Sequence, residues 1–292
     1  MKEACFYEQT NFNTVKCQLC PHHCIIHDGK VGICGVRKNI NGVLYAVNYG
    51  IVSSAALDPI EKKPLYNYMP GSKIFSIGSI GCNLHCSFCQ NWQIARAGVE
   101  QVGNYEPQYD PQDIIDKALD LVPYGNIGIA YTYNEPTVWY EFMKDIAVLA
   151  QQKGLKNVVV TNGYISSEPL QELLPYIDAF NVDLKGYNQD FYTRLTKSTF
   201  QPVLETLQQI DKAGKHLEIA YLVIPGENDD PRQFEEMVGW LCSHLNNMFS
   251  LHINRYFPCY KLKTPATPVE TLHQLSDIAR KKIEHVYIGN VH

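Results

Sequence analysis

From residue 73 onward the chain alternates apolar, β-rich runs with helix-like stretches. The runs are "KIFSIGSI" (73–80), "NIGIAYTYN" (126–134), "KNVVVTNGY" (156–164), "DAFNVDLKG" (178–186), "HLEIAYLVIPG" (216–226), "FSLHINRYFP" (249–258) and "HVYIGN" (285–290). Strand, helix, strand repeated in this way makes βα units and a parallel sheet. Near-continuous apolar runs such as "NVVV" suit a sheet covered on both faces. Three helix starts look alike: Asp110-Pro111, Asp230-Pro231 and Thr267-Pro268, each a capping residue before Pro at the first helical position. Glu270 is placed to close a capping box with Thr267. Six units and a last strand fall short of a full eight-unit barrel. The expected fold is therefore α/β, an incomplete, open (βα)6-type partial TIM barrel over residues 73–292. The first 72 residues read as a small cysteine-rich, β-containing subdomain. In a partial barrel, as in a doubly wound sheet, the active site lies at the C-terminal ends of the strands.

The polar and Gly/Pro-bearing segments fall at those ends. A cysteine loop follows the first strand, then "TYNEP" (132–136), "TNG" (161–163), "DLK" (183–185), "IPGEND" (224–229) and "FP" (257–258) close the next five. Six such segments expected on one rim point to a site more strongly than any one of them.

Bulk properties narrow the class. Net charge is −5, with 45% apolar and 19% charged residues, as in an ordinary globular enzyme; bulk charge does not indicate nucleic-acid binding. The N-terminus "MKEACFYEQT" lacks the apolar core of a signal peptide, and no apolar run is long enough to span a membrane. A cytoplasmic location is expected. Eight of the ten cysteines precede residue 90, which in a reducing compartment reads as metal ligation rather than disulfide bonding.

"GCNLHCSFCQNWQIA" (81–95) places Cys82, Cys86 and Cys89 in one short loop. Three thiolates leave a zinc site one ligand short, unless His85 or a distant group completes it. A cubane 4Fe-4S cluster held by three thiolates keeps one iron open to a ligand that chelates through amino and carboxylate groups. S-adenosylmethionine offers both. Cys17, Cys20, Cys24 and Cys34 form a second set, C-x2-C-x3-C-x9-C, sufficient for a closed zinc or an auxiliary 4Fe-4S cluster. Cys5, Cys242 and Cys259 stand alone. Cys259, expected at the catalytic rim, is a candidate hydrogen donor or substrate contact.

The Cys-x3-Cys-x2-Cys spacing resembles the signature of the radical S-adenosylmethionine superfamily. That resemblance implies roles for the downstream motifs. Tyr133, Asn134 and Glu135, in the stretch Tyr133-Asn134-Glu135-Pro136, match a Gly-Gly-Glu segment that binds the methionine amino group, with both glycines replaced. Asn162, Asp183 and Lys185 match cofactor-side positions of the glycyl-radical activating branch, and Phe88 the aromatic position beside the adenine. Over most of its length the chain resembles the radical enzyme of the AmmeMemoRadiSam group. The carrying stretches are "CQLCPHHCIIHDGKVGICGVRKNINGVLY", "SSAALDPIEKKPLYNYMPGSKIFSIGSIGCNLHCSFCQNW" and "VYIGN". This implies Memo-type and AMMECR1-like partners and an electron donor such as a flavodoxin or ferredoxin. The same stretches resemble pyruvate formate-lyase activating enzymes. Two departures weaken that label: Val160 stands where such enzymes carry an acidic residue, and Tyr260 where they carry a histidine.

Overall fold

All seven runs after residue 72 become strands of one sheet. The structure, a computed structural model, describes residues 1–10, 13–105, 108–246 and 248–291. Six short strands come first: β1 (Lys2–Glu3), β2 (Tyr7–Gln9), β3 (Val15–Cys17), β4 (Ile25–Ile26), β5 (Arg37–Ile40) and β6 (Val43–Ala46). They pair antiparallel in two small sheets, ordered β1-β6-β5 and β2-β3-β4. β7 (Ser54–Pro59) leads into β8 (Lys73–Gly78), β9 (Asn126–Tyr131), β10 (Lys156–Thr161), β11 (Ala179–Asp183), β12 (His216–Val223), β13 (Ser250–Arg255) and β14 (His285–Gly289). β8 to β14 stand side by side in chain order, each pair of neighbours parallel. A doubly wound sheet would reverse its order at a switch point. The unbroken order is that of a partial barrel. β7 adds an eighth strand, antiparallel to β8, so the main sheet takes up residues that lie before residue 72.

Helices cross over between the strands. Asp110 and Asp230 behave as read from the sequence. The Asp110 backbone N–H donates to Asp113 across the start of helix Pro111–Asp120, and Asp230 accepts from the Arg232 N–H at the start of helix Pro231–His244. Thr267 does not. Helix Val269–Arg280 begins two residues later with no side-chain cap. The Thr267 hydroxyl instead donates to the Val223 carbonyl at 2.6 Å and accepts from Tyr256 N–H at 3.0 Å, which ties the ends of β12 and β13 together. Burial explains the difference: Thr267 is fully enclosed, so its hydroxyl serves the backbone groups nearest to it.

The N-terminal end of the barrel is closed by the connector before β8. Ile60 and Leu65 pack among Ile74, Ala130, Val158 and Ala179. Glu218 on β12 sits at the hub, fully buried, and accepts from His216, His252 and the backbone N–H groups of Tyr66 and Asn67. Burial alone would push its carboxyl up; the bonds from His216, His252, Asn67 and Tyr66 outweigh it and hold the pKa at about 2. A carboxyl depressed in the fold stabilises it fully above the ordinary value of 4.5 and stops doing so as pH falls through about 2. Replacing Glu218 by Ala should therefore destabilise the protein by about 3 kcal/mol at neutral pH. In urea titrations run from pH 7 down to 3, the difference between variant and parent should shrink; a constant difference would show that the charge contributes nothing. Among the described residues no helix is long and apolar enough to cross a membrane.

Candidate active site

A cavity of about 350 Å³ opens at the C-terminal ends of the strands. Its wall includes Cys82, Cys86 and Cys89 from the loop after β8, Tyr133 to Glu135 after β9, Thr161 and Asn162 at the end of β10, and Asp183 and Lys185 at the end of β11. Lys63, beside β7, and Asn254 and Asn290, from β13 and after β14, also line it. Residues from both edges of the open sheet thus face one space, which requires the sheet to curl around it.

The thiol loop is pinned from several sides. The backbone N–H groups of His85 and Ser87 donate to the carbonyls of Thr196 and Leu195. Arg96 donates to the carbonyls of Cys82 and Leu84. The Cys82 sulfur accepts from Leu84 N–H at 3.4 Å and from Asn162 Nδ2 at 3.8 Å. Burial pushes all three thiols up, Cys86 to about 12, and the nearby Lys185 charge pulls Cys86 and Cys89 back in part. Thiols of this kind need an added cation to become thiolates at neutral pH. His85 points elsewhere, toward the Ile33 carbonyl at 3.2 Å, and does not line the cavity.

Glu135 is 2% exposed, and its oxygens accept from Thr137 N–H, the Thr161 hydroxyl and Asn162 N–H at 3.0, 2.7 and 2.8 Å. It is both the cap of the turn Pro136–Trp139 and part of the cavity wall. A carboxylate has room for about four hydrogen bonds, so one acceptor position is left for a ligand. Burial raises its pKa above the ordinary value despite those bonds. Lys185 donates to Asp183 at 2.6 Å. Burial opposes its charge, but the Asp183 carboxylate overcomes this and holds the ammonium protonated. Asn134 lines the cavity, but its amide is engaged by Ser79 N–H and the Gly81 carbonyl, each at 2.9 Å, which locks the start of the cysteine loop to the end of β9. Phe88 is buried at the cavity wall against Phe191. Gly163 of "TNG" has φ +70, and a Cβ there would meet Val182 Cγ1 at 3.0 Å.

Two of the six expected segments stay out of the wall. In "IPGEND", Asn228 accepts from Ile224 N–H and donates to the Lys185 carbonyl, so this loop buttresses the lysine from behind. Phe257 is exposed and lies under the Arg255 guanidinium. Cys259 does not line the cavity; its sulfur lies 3.6 Å from the Cys89 carbonyl. Sequence reasoning did not single out Arg96, Asn83 or Lys63. Asn83 stood in plain view between two residues of the cysteine loop; nothing in the sequence marked the other two.

Cys17, Cys20, Cys24 and Cys34 line a second, small cavity with Leu19, Ile26, Arg37 and Asn83. Among the described residues no three Cys, His, Asp or Glu side chains stand ready-made as a single-ion cage.

The sequence profile of the Radical SAM superfamily matches residues 76–241, from β8 into the helix after β12. The uncharacterized protein MJ0808 of Methanocaldococcus jannaschii is 44% identical over 100% of this chain and 86% of its own length. A pyruvate formate-lyase-activating enzyme of Clostridium pasteurianum is 22% identical over 60% of this chain and 72% of its own. Two solved structures share the fold. A radical SAM methyltransferase from Sphaerobacter thermophilus superposes with a TM-score of 0.57 at 17% identity, covering 77% of this chain and 68% of the other. Streptococcus suis SuiB bound to S-adenosylmethionine does so at 0.56 and 15%, covering 71% of this chain and 47% of SuiB, so the match spans about half of that protein. With its three-thiol loop after the first parallel strand and its cavity at the strand ends, the chain belongs to the Radical SAM superfamily and is an enzyme of the class that pairs a 4Fe-4S cluster with S-adenosylmethionine.

Proposed function

We propose that this enzyme binds S-adenosylmethionine in the strand-end cavity and abstracts a hydrogen atom from a substrate held beside it. One observation carries the reading: a single cavity joins Cys82, Cys86 and Cys89 to Glu135 and to the Asp183–Lys185 pair. The donor set fits the cofactors, since three half-buried thiols would hold three irons and about 350 Å³ lies in the range of small-molecule sites. Cys82, Cys86 and Cys89 would hold the cluster, which would supply the electron for reductive cleavage of the sulfonium to a 5′-deoxyadenosyl radical. The chain's own residues bind and orient. Glu135 accepts from the methionine ammonium, Lys185 pairs with its carboxylate while Asp183 holds the lysine, and Asn162 and Phe88 flank the nucleoside. Asn134 keeps the loop in register. Incubation of the anaerobic protein with S-adenosylmethionine and dithionite should release 5′-deoxyadenosine; no release from protein with an intact cluster would refute the reading.

The physiological setting is also proposed. The chain acts as the radical enzyme of an AmmeMemoRadiSam system with Memo-type and AMMECR1-like partners, reduced by a flavodoxin or ferredoxin in the cytoplasm. Residues 1–72 form a metal-binding unit, with zinc or a second 4Fe-4S cluster on Cys17, Cys20, Cys24 and Cys34, ahead of the radical-generating unit 73–292. A second reading, activation of a glycyl-radical partner, is favoured by similarity to the activating enzymes. Val160 at the cavity wall, where those enzymes carry an acid, weighs against it. A glycyl-radical EPR signal on a co-purified partner would decide for the second.

Glu135 links cofactor affinity to pH. Its raised pKa means the carboxylate is lost at a higher pH than an ordinary glutamate as the solution is acidified. Affinity for S-adenosylmethionine should fall on the acid side for the parent. Glu135→Gln should raise Kd by about tenfold or more at neutral pH and flatten that fall. Calorimetric titration at several pH values checks both; a steep acid limb surviving in the variant would move the role to another group.

A further inference from the structure

The two thiol sets meet at Asn83. Its side chain, 1% exposed, lines the small cavity of Cys17, Cys20, Cys24 and Cys34, while its chain neighbour Cys82 lines the large one. The Asn83 amide accepts from Asn162 Nδ2 at 2.9 Å and donates to the Tyr164 carbonyl at 2.7 Å. Its backbone carbonyl lies 2.8 Å from His22 Nε2, on the loop between Cys20 and Cys24. The His22 ring packs edge-on to Tyr164, with centroids 5.0 Å apart. Asn162, at the far side, touches the Cys82 sulfur and donates its backbone N–H to Glu135. A continuous chain of contacts thus runs from the N-terminal thiols to the residues that face the cofactor.

The small cavity carries an independent sign of a ligand. Arg37 lines it at 1% exposure, and its Nε–H has no hydrogen-bond partner. A buried N–H left without an acceptor is unfavourable by itself, whereas a metal-bound thiolate or a bridging sulfide would accept from it and its charge would be offset by the guanidinium. We propose that the four N-terminal thiols bind a metal whose occupancy holds His22 and Asn83 in place, so that the N-terminal site positions Cys82 and Asn162 at the catalytic centre. Asn83 is the positioning residue of this link. The inference rests on the reading of the strand-end cavity as the cofactor site and adds to it a reason for the second thiol set.

The test uses the full chain, purified anaerobically and reconstituted with iron and sulfide. Iron, sulfide and zinc are counted per chain, and the EPR spectrum of the reduced cluster is recorded with and without S-adenosylmethionine. The parent should hold metal beyond the roughly four irons of one cubane, as zinc or as further iron. Cys20→Ser/Cys34→Ser should lose that extra metal, keep the three-cysteine cluster, show a weakened cofactor-induced change in the spectrum and bind S-adenosylmethionine at least about fivefold more weakly. His22→Phe keeps all four thiols and should retain the extra metal while showing the same spectral and affinity changes. Loss of the extra metal with spectrum and Kd unchanged overturns the coupling and leaves cofactor binding intact. A parent with no extra metal overturns the N-terminal site. If the double variant does not fold, His22→Phe decides: parent-like spectrum and affinity overturn the proposal. Absence of any cofactor effect on the parent's spectrum would instead sink the reading of the strand-end cavity.

Discussion

Cys86→Ala should abolish the cluster of the three-cysteine loop and with it all cleavage of S-adenosylmethionine, leaving a folded protein. Cys86 is the middle thiol of the loop, and two thiolates hold a cubane poorly. Its surroundings make substitution by a neighbour implausible on geometric grounds. The two flanking thiols face the same cavity, and Cys259 does not line it, its sulfur lying 3.6 Å from the Cys89 carbonyl. Folding should survive because the loop is held by backbone bonds to Leu195 and Thr196 and by Arg96, none of which involves the Cys86 side chain. Iron should fall by about four per chain, 5′-deoxyadenosine should become undetectable, and circular dichroism should remain that of the parent. Cys242→Ala, on the helix far from the cavity, serves as control. Retained iron and turnover in the Cys86 variant would refute the cluster assignment.

Arg37→Ala should destabilise the fold by about 3–5 kcal/mol, enough to unfold much of a marginal protein. Arg37 and Glu141 form an ion pair at 2.6 and 2.8 Å whose side chains are 2% and 1% exposed. The pair joins β5 to the helix Tyr140–Gln152, and Cys5 is held between them: its N–H donates to Glu141 and its carbonyl accepts from Arg37. Burial opposes the guanidinium charge, and Glu141 more than restores it. Truncating the arginine leaves a buried carboxylate with its charge uncompensated, which is why the loss exceeds the ordinary value of one hydrogen bond. Arg37→Met/Glu141→Leu, which removes both charges, should recover most of the stability. Urea denaturation measures all three. A single variant within about 0.5 kcal/mol of the parent would show that the pair does not hold the N-terminal segment to the barrel.

The sequence was most informative where local chemistry and periodicity agree. The seven parallel strands fall within the apolar runs because strands buried on both faces are apolar at most positions and are bounded by turn residues. The three thiols, Glu135, Asn162, Asp183 and Lys185 share one cavity because the strand ends of a parallel sheet lie at one rim. Sequential strand order, by contrast, depends on which strands pair, and no residue pattern encoded it. Thr267 shows the limit of a local rule. Its Thr-Pro start was a sound cap by composition, yet burial turned its hydroxyl to Tyr256 and Val223.

Long-range partners decide the rest. Glu218 is a charge within the apolar run of β12; His216 on the same strand supplies one of its four donors, and the folded-back connector and the neighbouring strand supply the other three. "IPGEND" read as a rim segment, and the path of the chain made it a support for Lys185 instead. Asn83 lies between two cysteines of the loop; the junction it forms exists only because residues 20–34 pack against residues 81–85. Residue types and their spacing thus determined the chemistry of the thiols and the identity of the strands, since both depend on near neighbours in the chain. Which polar groups share a cavity, and which thiol set touches which, is settled by tertiary packing, because a hydrogen bond joins residues close in space however far apart they are in sequence.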